Sequence, residues 1–233
     1  MAWLAISCAG LAALAAEPFT SSRPAGPKAR VVIVEDREAT DSFRARAERI
    51  PAMVERGVTN LTSKATSREA WLSLVSTQDV VGIKVYSVPG PNSGTRPAVA
   101  RAVVESLLAA GLPPKQIIIW DKSERDLRRA GYFEIGDELG VRVEASASAG
   151  YDDASSYTNS IIGSLVWGDH EFELTGPDIG KRSFVSKLVS QQITKIISLA
   201  PLLNHNSAGV SGNLYGLAVG SVDNTMRFEL DPG

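Results

Sequence analysis

The chain has 233 residues, 44% of them hydrophobic, enough to bury the core of one α/β domain. Lys and Arg total 24 against 26 for Asp and Glu, and neither sign gathers into a block, so the charge footprint of a nucleic-acid or anionic-membrane binder is missing. The single cysteine, Cys8, excludes an intrachain disulfide, a multi-thiolate zinc site and an iron–sulfur cluster; the identity of any other cofactor stays open.

Residues 2–16, AWLAISCAGLAALAA, form an apolar stretch ending in Ala13-Leu14-Ala15. It fits the apolar core and small-x-small cleavage rule of a secretory signal, and it is shorter than the ~20 residues of a membrane span. Export to the periplasm or cell envelope is expected, with no stable membrane span after cleavage of residues 1–16. A linker follows at 17–29, where EPFTSSRPAGPKA is rich in Pro, Ser and Gly.

From residue 30 to 233 the pattern reads as one α/β domain. RVVIVED (30–36), VVGIKVY (80–86), QIIIW (116–120), VRVEA (141–145) and TKIISLA (194–200) are β-branched or apolar runs of strand length. Near-continuous apolar strands point to a sheet covered on both faces. Between them, Thr66 and Glu69 predict a capping box opening REAWLSLVS, because hydroxyl and carboxylate can each satisfy a free backbone group. PAVARAVVESLLAAG begins with Pro97, carries Val99, Ala102, Val103, Ser106, Leu107 and Ala110 along one stripe, and stops at Gly111. ERDLRRAGYFEIGDELG is a further amphipathic segment ending at Gly140. Strands alternating with helices argue for βαβ units, a mostly parallel sheet and helices on both faces. Residues 146–192 break the pattern: SASAGYDDASSYTN is turn-rich, SLVWGDHEFEL reads as a hairpin and SFVSKLVSQQ as a short helix, so an irregular insertion able to cover a site is expected there.

Ligands of an open parallel sheet bind outside the carboxyl ends of its strands. Three loops qualify: SVPGPNSGTRP (87–97), DKSE (121–124) and PLLNHNSAGVSGN (201–213). They would place Lys84, Thr95, Arg96, Asp121, Lys122, Asn204 and His205 on one rim. In the first loop, glycines allow close backbone approach, the following helix offers free N–H groups, and Arg96 adds a bidentate donor, a combination suited to a carboxylate or phosphate. The alternative is that Thr95 caps the helix and Arg96 pairs with a surface acid. Lys84 sits inside an apolar strand, where an ammonium is costly unless paired. Either it is functional, or its stem packs in the core while its head pairs with Asp121 on the neighbouring strand. Asp121 can also cap the next helix, and Lys122 reads as solvated. His205 is the one candidate base or metal ligand of the third loop, and Asn204 and Asn206 beside it can bind ligand or shape a turn. His170, in WGDHEF, reads as a surface hairpin residue. No Gly-Lys-Ser/Thr phosphate loop and no Gly-x-Ser-x-Gly elbow occurs.

VVGIKV, then GTRPAVARAVVESLLAAGLPPKQIIIWD, then TKIISLAPLLNHNSAGVSGNLYGLAVGSVDN together resemble the bacterial and archaeal domain-of-unknown-function 362 family over residues 30–228. The resemblance implies the α/β fold and a site at Lys84, Thr95, Arg96, Asp121 and His205. Some relatives carry a ferredoxin-like cysteine cluster that this chain lacks, and the lysine usual before the histidine is Leu203 here. Members of the family continue beyond MRFELDPG, so a C-terminally truncated member is expected. Two functional classes follow from the rim: an enzyme acting on a small anionic substrate, with His205, Lys84 and Asp121 catalytic, or an exported binding protein for a small anion or metal, with Thr95, Arg96, Asn204 and Asn206 as contacts.

Export has a direct check. Intact-mass measurement of the protein recovered from cells is expected to show an N-terminus near Ala15 or Ala16; a chain starting at Met1 in the soluble cytosolic fraction contradicts it.

Overall fold

Period-two alternation places Val81, Ile83 and Val85 on one face of a strand and Gly82 and Lys84 on the other, and the central sheet is built around that strand. The computed structural model describes residues 29–158, 182–205 and 209–225. The chain divides into two units, Met1–Val31 and Val32–Gly233, and every element below lies in the second. The elements are β1 (Thr40–Asp41), β2 (Arg44–Ala45), α1 (Ile50–Thr62), α2 (Ser67–Leu72), β3 (Val81–Val85), α3 (Pro97–Ala110), β4 (Ile117–Asp121), α4 (Glu124–Arg129), α5 (Tyr132–Leu139), β5 (Arg142–Ala145), α6 (Ser146–Ala149), β6 (Tyr151–Thr158), β7 (Arg182–Ser186), β8 (Lys195–Leu199), β9 (Leu203–His205), β10 (Gly209–Ser211) and α7 (Asn213–Ser221). The principal sheet has four strands in the order β5-β4-β3-β8, all parallel. The other strand pairs are small and antiparallel.

On one face, Val81, Ile83, Val85, Ile117 and Ile119 pack against Trp71 of α2, Leu107 of α3 and Ile135 of α5. On the other, Ile118 and Trp120 meet Leu188, Ile193 and Leu217 of α7. Burying one such aliphatic side chain contributes about 1.5–3 kcal/mol. The helices begin and end where local chemistry dictates. Thr66 accepts from the Glu69 backbone and Glu69 from Thr66, the reciprocal box expected at the start of α2. Pro97 opens α3, and Gly111 closes it at φ 103°, left-handed backbone that a side chain would strain. Ser106, within the apolar stripe of α3, is satisfied by Trp71 Nε1 donating at 2.7 Å.

Three expectations need correction. RVVIVED forms no strand: residues 29–36 have no regular structure, and Val34 lies beside Gly57 of α1 instead of in the sheet. ERDLRRAGYFEIGDELG is two helices, α4 and α5, divided at Gly131 with φ 86°. The described part of the 146–192 insertion is more ordered than its composition suggests. After the short helix α6, β6 pairs antiparallel with β7, with a register shift between Asp152 and Ser156, so SFVSK begins as strand and only Leu188–Gln192 winds, as one π-helical turn. SLVWGDHEFEL, read from the sequence as a hairpin and containing His170, lies outside the described residues, as do residues 1–28 and 226–233.

Tyr132, at the start of α5, is fully buried, and its hydroxyl donates to the Thr95 carbonyl at 2.5 Å. Burial, and then the Asp121 charge, push its pKa well above 10.0. The folded state therefore holds a proton that the unfolded chain releases above that value, so this contribution to stability is intact below pH 10 and is lost as pH climbs beyond it. Urea unfolding across that range is expected to show an alkaline fall that is shallower in Tyr132→Phe; identical slopes for the two proteins contradict the assignment.

Candidate functional site

Lys84 faces the sheet side opposite the main core and is 2% exposed. An ammonium so placed needs a partner, and the register supplies one. Lys84 pairs with Trp120 across β3 and β4, and its long side chain runs to the strand end, where Asp121 follows Trp120. Nζ donates to Asp121 Oδ1 at 2.7 Å and to the Val85 carbonyl at 2.6 Å, and lies 5.5 Å from the centre of the Trp120 ring. Asp121, 3% exposed, also accepts from the Lys122 backbone on Oδ1 and from the Ser87 backbone and hydroxyl on Oδ2, at 2.7–2.8 Å. With four donors converging on it, the carboxylate organises the loop after β3. The cap of α4 is Ser123, whose hydroxyl accepts from Asp126, so Asp121 does not cap that helix.

A segment distant in sequence covers this pair. Gly220 of α7 lies directly against it: a Cβ there would come within 2.1 Å of Lys84 Cε and 2.8 Å of Nζ. The Gly220 carbonyl accepts from the buried Ser146 hydroxyl at 2.7 Å. Residues 222–225 continue the cover. Val222 bridges to Val185, Asp223 Oδ1 accepts from the Phe184 backbone at 2.7 Å, and Ser183 donates to the Asn224 carbonyl at 2.6 Å. Lys122, expected to be solvated, instead donates to the Asp223 carbonyl and to Thr225. Asp223, Asn224, Ser146 and Gly220 were not anticipated. The one sequence signal for them was the density of small residues from Ser207 to Gly220.

Thr95 is a structural junction. Its backbone N–H donates to Tyr86, its hydroxyl accepts from the Tyr86 N–H at 2.8 Å and donates to the Leu199 carbonyl, and its own carbonyl holds Tyr132. The loop thereby ties the ends of β3 and β8 to α5. The helix cap position is Arg96, which makes no side-chain cap, so Thr95 does not cap α3. Gly94 permits the tight path, since a Cβ there would stand 2.2 Å from the Tyr86 carbonyl oxygen.

Beside this junction, at the carboxyl ends of β3 and β8, opens a cleft of about 530 Å³. Its lining includes Asn92, Ser93, Arg96, Leu199, Pro201 and Leu203. Arg96, half-buried, is the one charged residue of that lining, and its Nη1 donates to the Phe43 carbonyl. The residues expected on one rim have different surroundings. Lys84 and Asp121 are brought together under α7; Thr95 and Arg96 line the cleft; His205 lies at the end of β9, its ring 4.4 Å from that of Tyr215 on α7, and is not part of the cleft lining. Asn204 is exposed on β9, opposite Val210 of β10. Asn206 lies outside the described residues. Among the described residues, no group of three or more His, Cys, Asp or Glu side chains is placed to hold a metal ion, and no helix is long and apolar enough to cross a membrane.

The ion pair makes an energetic prediction. Asp121→Ala leaves a buried ammonium without its counter-charge and is expected to cost about 3–5 kcal/mol in urea unfolding, whereas Lys84→Met with Asp121→Leu recovers most of that loss. A loss under about 1 kcal/mol for Asp121→Ala, the range of exposed pairs, contradicts the assignment.

No family model matches the chain and no curated protein matches it, so the functional reading rests on the chemistry of these side chains.

Proposed function

We propose that the protein binds a small anionic molecule in the cleft between the Asn92–Arg96 loop and the Leu199–Leu203 segment, and that it acts by binding. The observation that carries this reading is the placing of Arg96. It is a cation in the lining of a concave surface, held by the Phe43 carbonyl, next to the start of a 14-residue helix and at the carboxyl ends of parallel strands. Asn92 and Ser93 add polar groups, while Leu199, Pro201 and Leu203 offer apolar contact. Lys84 and Asp121 are engaged with each other and with Ser87, which favours a structural part for them over a catalytic one. His205, its ring tilted against that of Tyr215, supports the shape of the β9–β10 hairpin more directly than proton transfer at the cleft. Export, inferred from residues 2–16, and membership of the domain-of-unknown-function 362 family, inferred from its motifs, belong to the same proposal.

Calorimetric titration with acetate, citrate and inorganic phosphate tests it. At least one of these anions is expected to bind the wild type, and Arg96→Ala is expected to weaken that binding about tenfold or more, as loss of a charge-assisted hydrogen bond should. His205→Ala is expected to leave it within about twofold, as for a residue outside the cleft lining. Binding that survives Arg96→Ala and disappears with His205→Ala contradicts the reading and favours chemistry at the hairpin.

A further inference from the structure

The principal sheet ends on one side at β8, and among the described residues no strand pairs with its outer side. β8 is also the least covered strand of that sheet: Lys195 is exposed and Ile196 is 38% exposed. An open edge is a template for another strand, and the charge on this one, Lys195, admits a strand that brings an acidic residue to it. The second unit also holds strand-forming sequence that sits in no sheet. Residues 32–35, Val-Ile-Val-Glu, have three β-branched side chains in succession and no regular structure. Among the described residues they make no backbone hydrogen bond, and Ile33 is 79% exposed. A chain with an unpaired strand and an unfilled edge can satisfy both by exchange with a second copy.

We infer that two copies of this protein form a reciprocal dimer in which residues 32–35 of each pair antiparallel with the β8 edge of the other. Charge and side-chain alternation select the direction. Antiparallel pairing sets Glu35 opposite Lys195, the one charged residue of β8, and Ile33 opposite Ile197. Ile197 packs on the main core, so Ile33 extends that apolar face instead of facing water. Val34 then falls opposite Ile196 and covers it. A parallel pairing would carry Glu35 and Asp36 to the Ser198–Leu199 end, away from the lysine, and lose the cross-strand ion pair. A slip of one residue in the antiparallel register would turn Ile33 away from Ile197. The partner is thus a second copy, recognised by backbone pairing and by two symmetry-related Glu35–Lys195 contacts. This inference is independent of the anion cleft, which is built from other residues.

Sedimentation equilibrium of the full chain, at concentrations on the order of 100 μM, is the test. The wild type is expected to be a dimer. Ile33→Lys, on a side chain already facing solvent, is expected to give a folded monomer with an unchanged far-ultraviolet spectrum. Glu35→Lys is expected to weaken the dimer about three- to tenfold, by opposing like charges at both contacts, and Glu35→Lys with Lys195→Glu to restore it. A monomeric wild type overturns the proposal. So does a dimer unaffected by Ile33→Lys, or a charge-reversed double variant no tighter than Glu35→Lys alone.

Discussion

One buried ion pair ties the parts of this fold together. Lys84 stands in an otherwise apolar strand, and leaving its ammonium unpaired would cost several kcal/mol. Asp121 can answer it only because β3 and β4 are parallel with Lys84 opposite Trp120. Slipping the register by one residue would turn Lys84 toward Leu107 and Ile135 and leave Asp121 without its cation. The same carboxylate holds the Ser87 and Lys122 backbones, so the paths of the loops after both central strands follow from it. Gly220 is required where it is because the pair fills the space that a side chain would need. Register, loop path and the seating of α7 thus depend on a single contact.

That arrangement decides which groups are left to meet a ligand. Lysine and aspartate at strand ends invite a catalytic reading, yet here each is engaged by neighbours and sealed by Gly220 and Ser146. Thr95 is likewise consumed, bridging β3, β8 and α5. The side chain at these strand ends that brings charge to an open cleft is Arg96. The buried groups act on it at a distance, since Asp121 sets the Ser87 turn and Thr95 fixes the loop that presents Arg96. A rigid base beneath a solvent-facing cation favours recognition of a ligand that needs little rearrangement.

How much of this could be read from the residues depends on how local each cause is. The four strands of the principal sheet, the Thr66–Glu69 box and the Pro97–Gly111 limits of α3 were legible, because period, caps and left-handed glycine act within a few residues. The Lys84–Asp121 pairing was legible too, as one of two readings, since a charge in an apolar strand demands a partner. RVVIVED has strand composition but lies outside the sheet; composition reports what a segment prefers, and pairing depends on an edge set by tertiary structure. SFVSK was misread as helix for the same reason, since β6 opposite it decides its state. The cover formed by Gly220, Asp223 and Asn224 was hidden, because its partners at Ser146, Ser183 and Phe184 are 39–74 residues away. The contact of His205 with Tyr215 was hidden as well, since it depends on the β9–β10 hairpin and on α7.

The proposed function places ligand binding at the Arg96 cleft, with the Lys84–Asp121 centre as a sealed support beneath it. Backbone amide shifts followed by nuclear magnetic resonance during titration with the tightest-binding anion test this most directly. The account predicts that shifts concentrate in Asn92–Val99 and Leu199–Leu203, while the amides of Lys84, Lys122 and Gly220 stay in place. Saturable shifts centred on Lys84, Lys122 and Gly220, with Arg96 undisturbed, would contradict it.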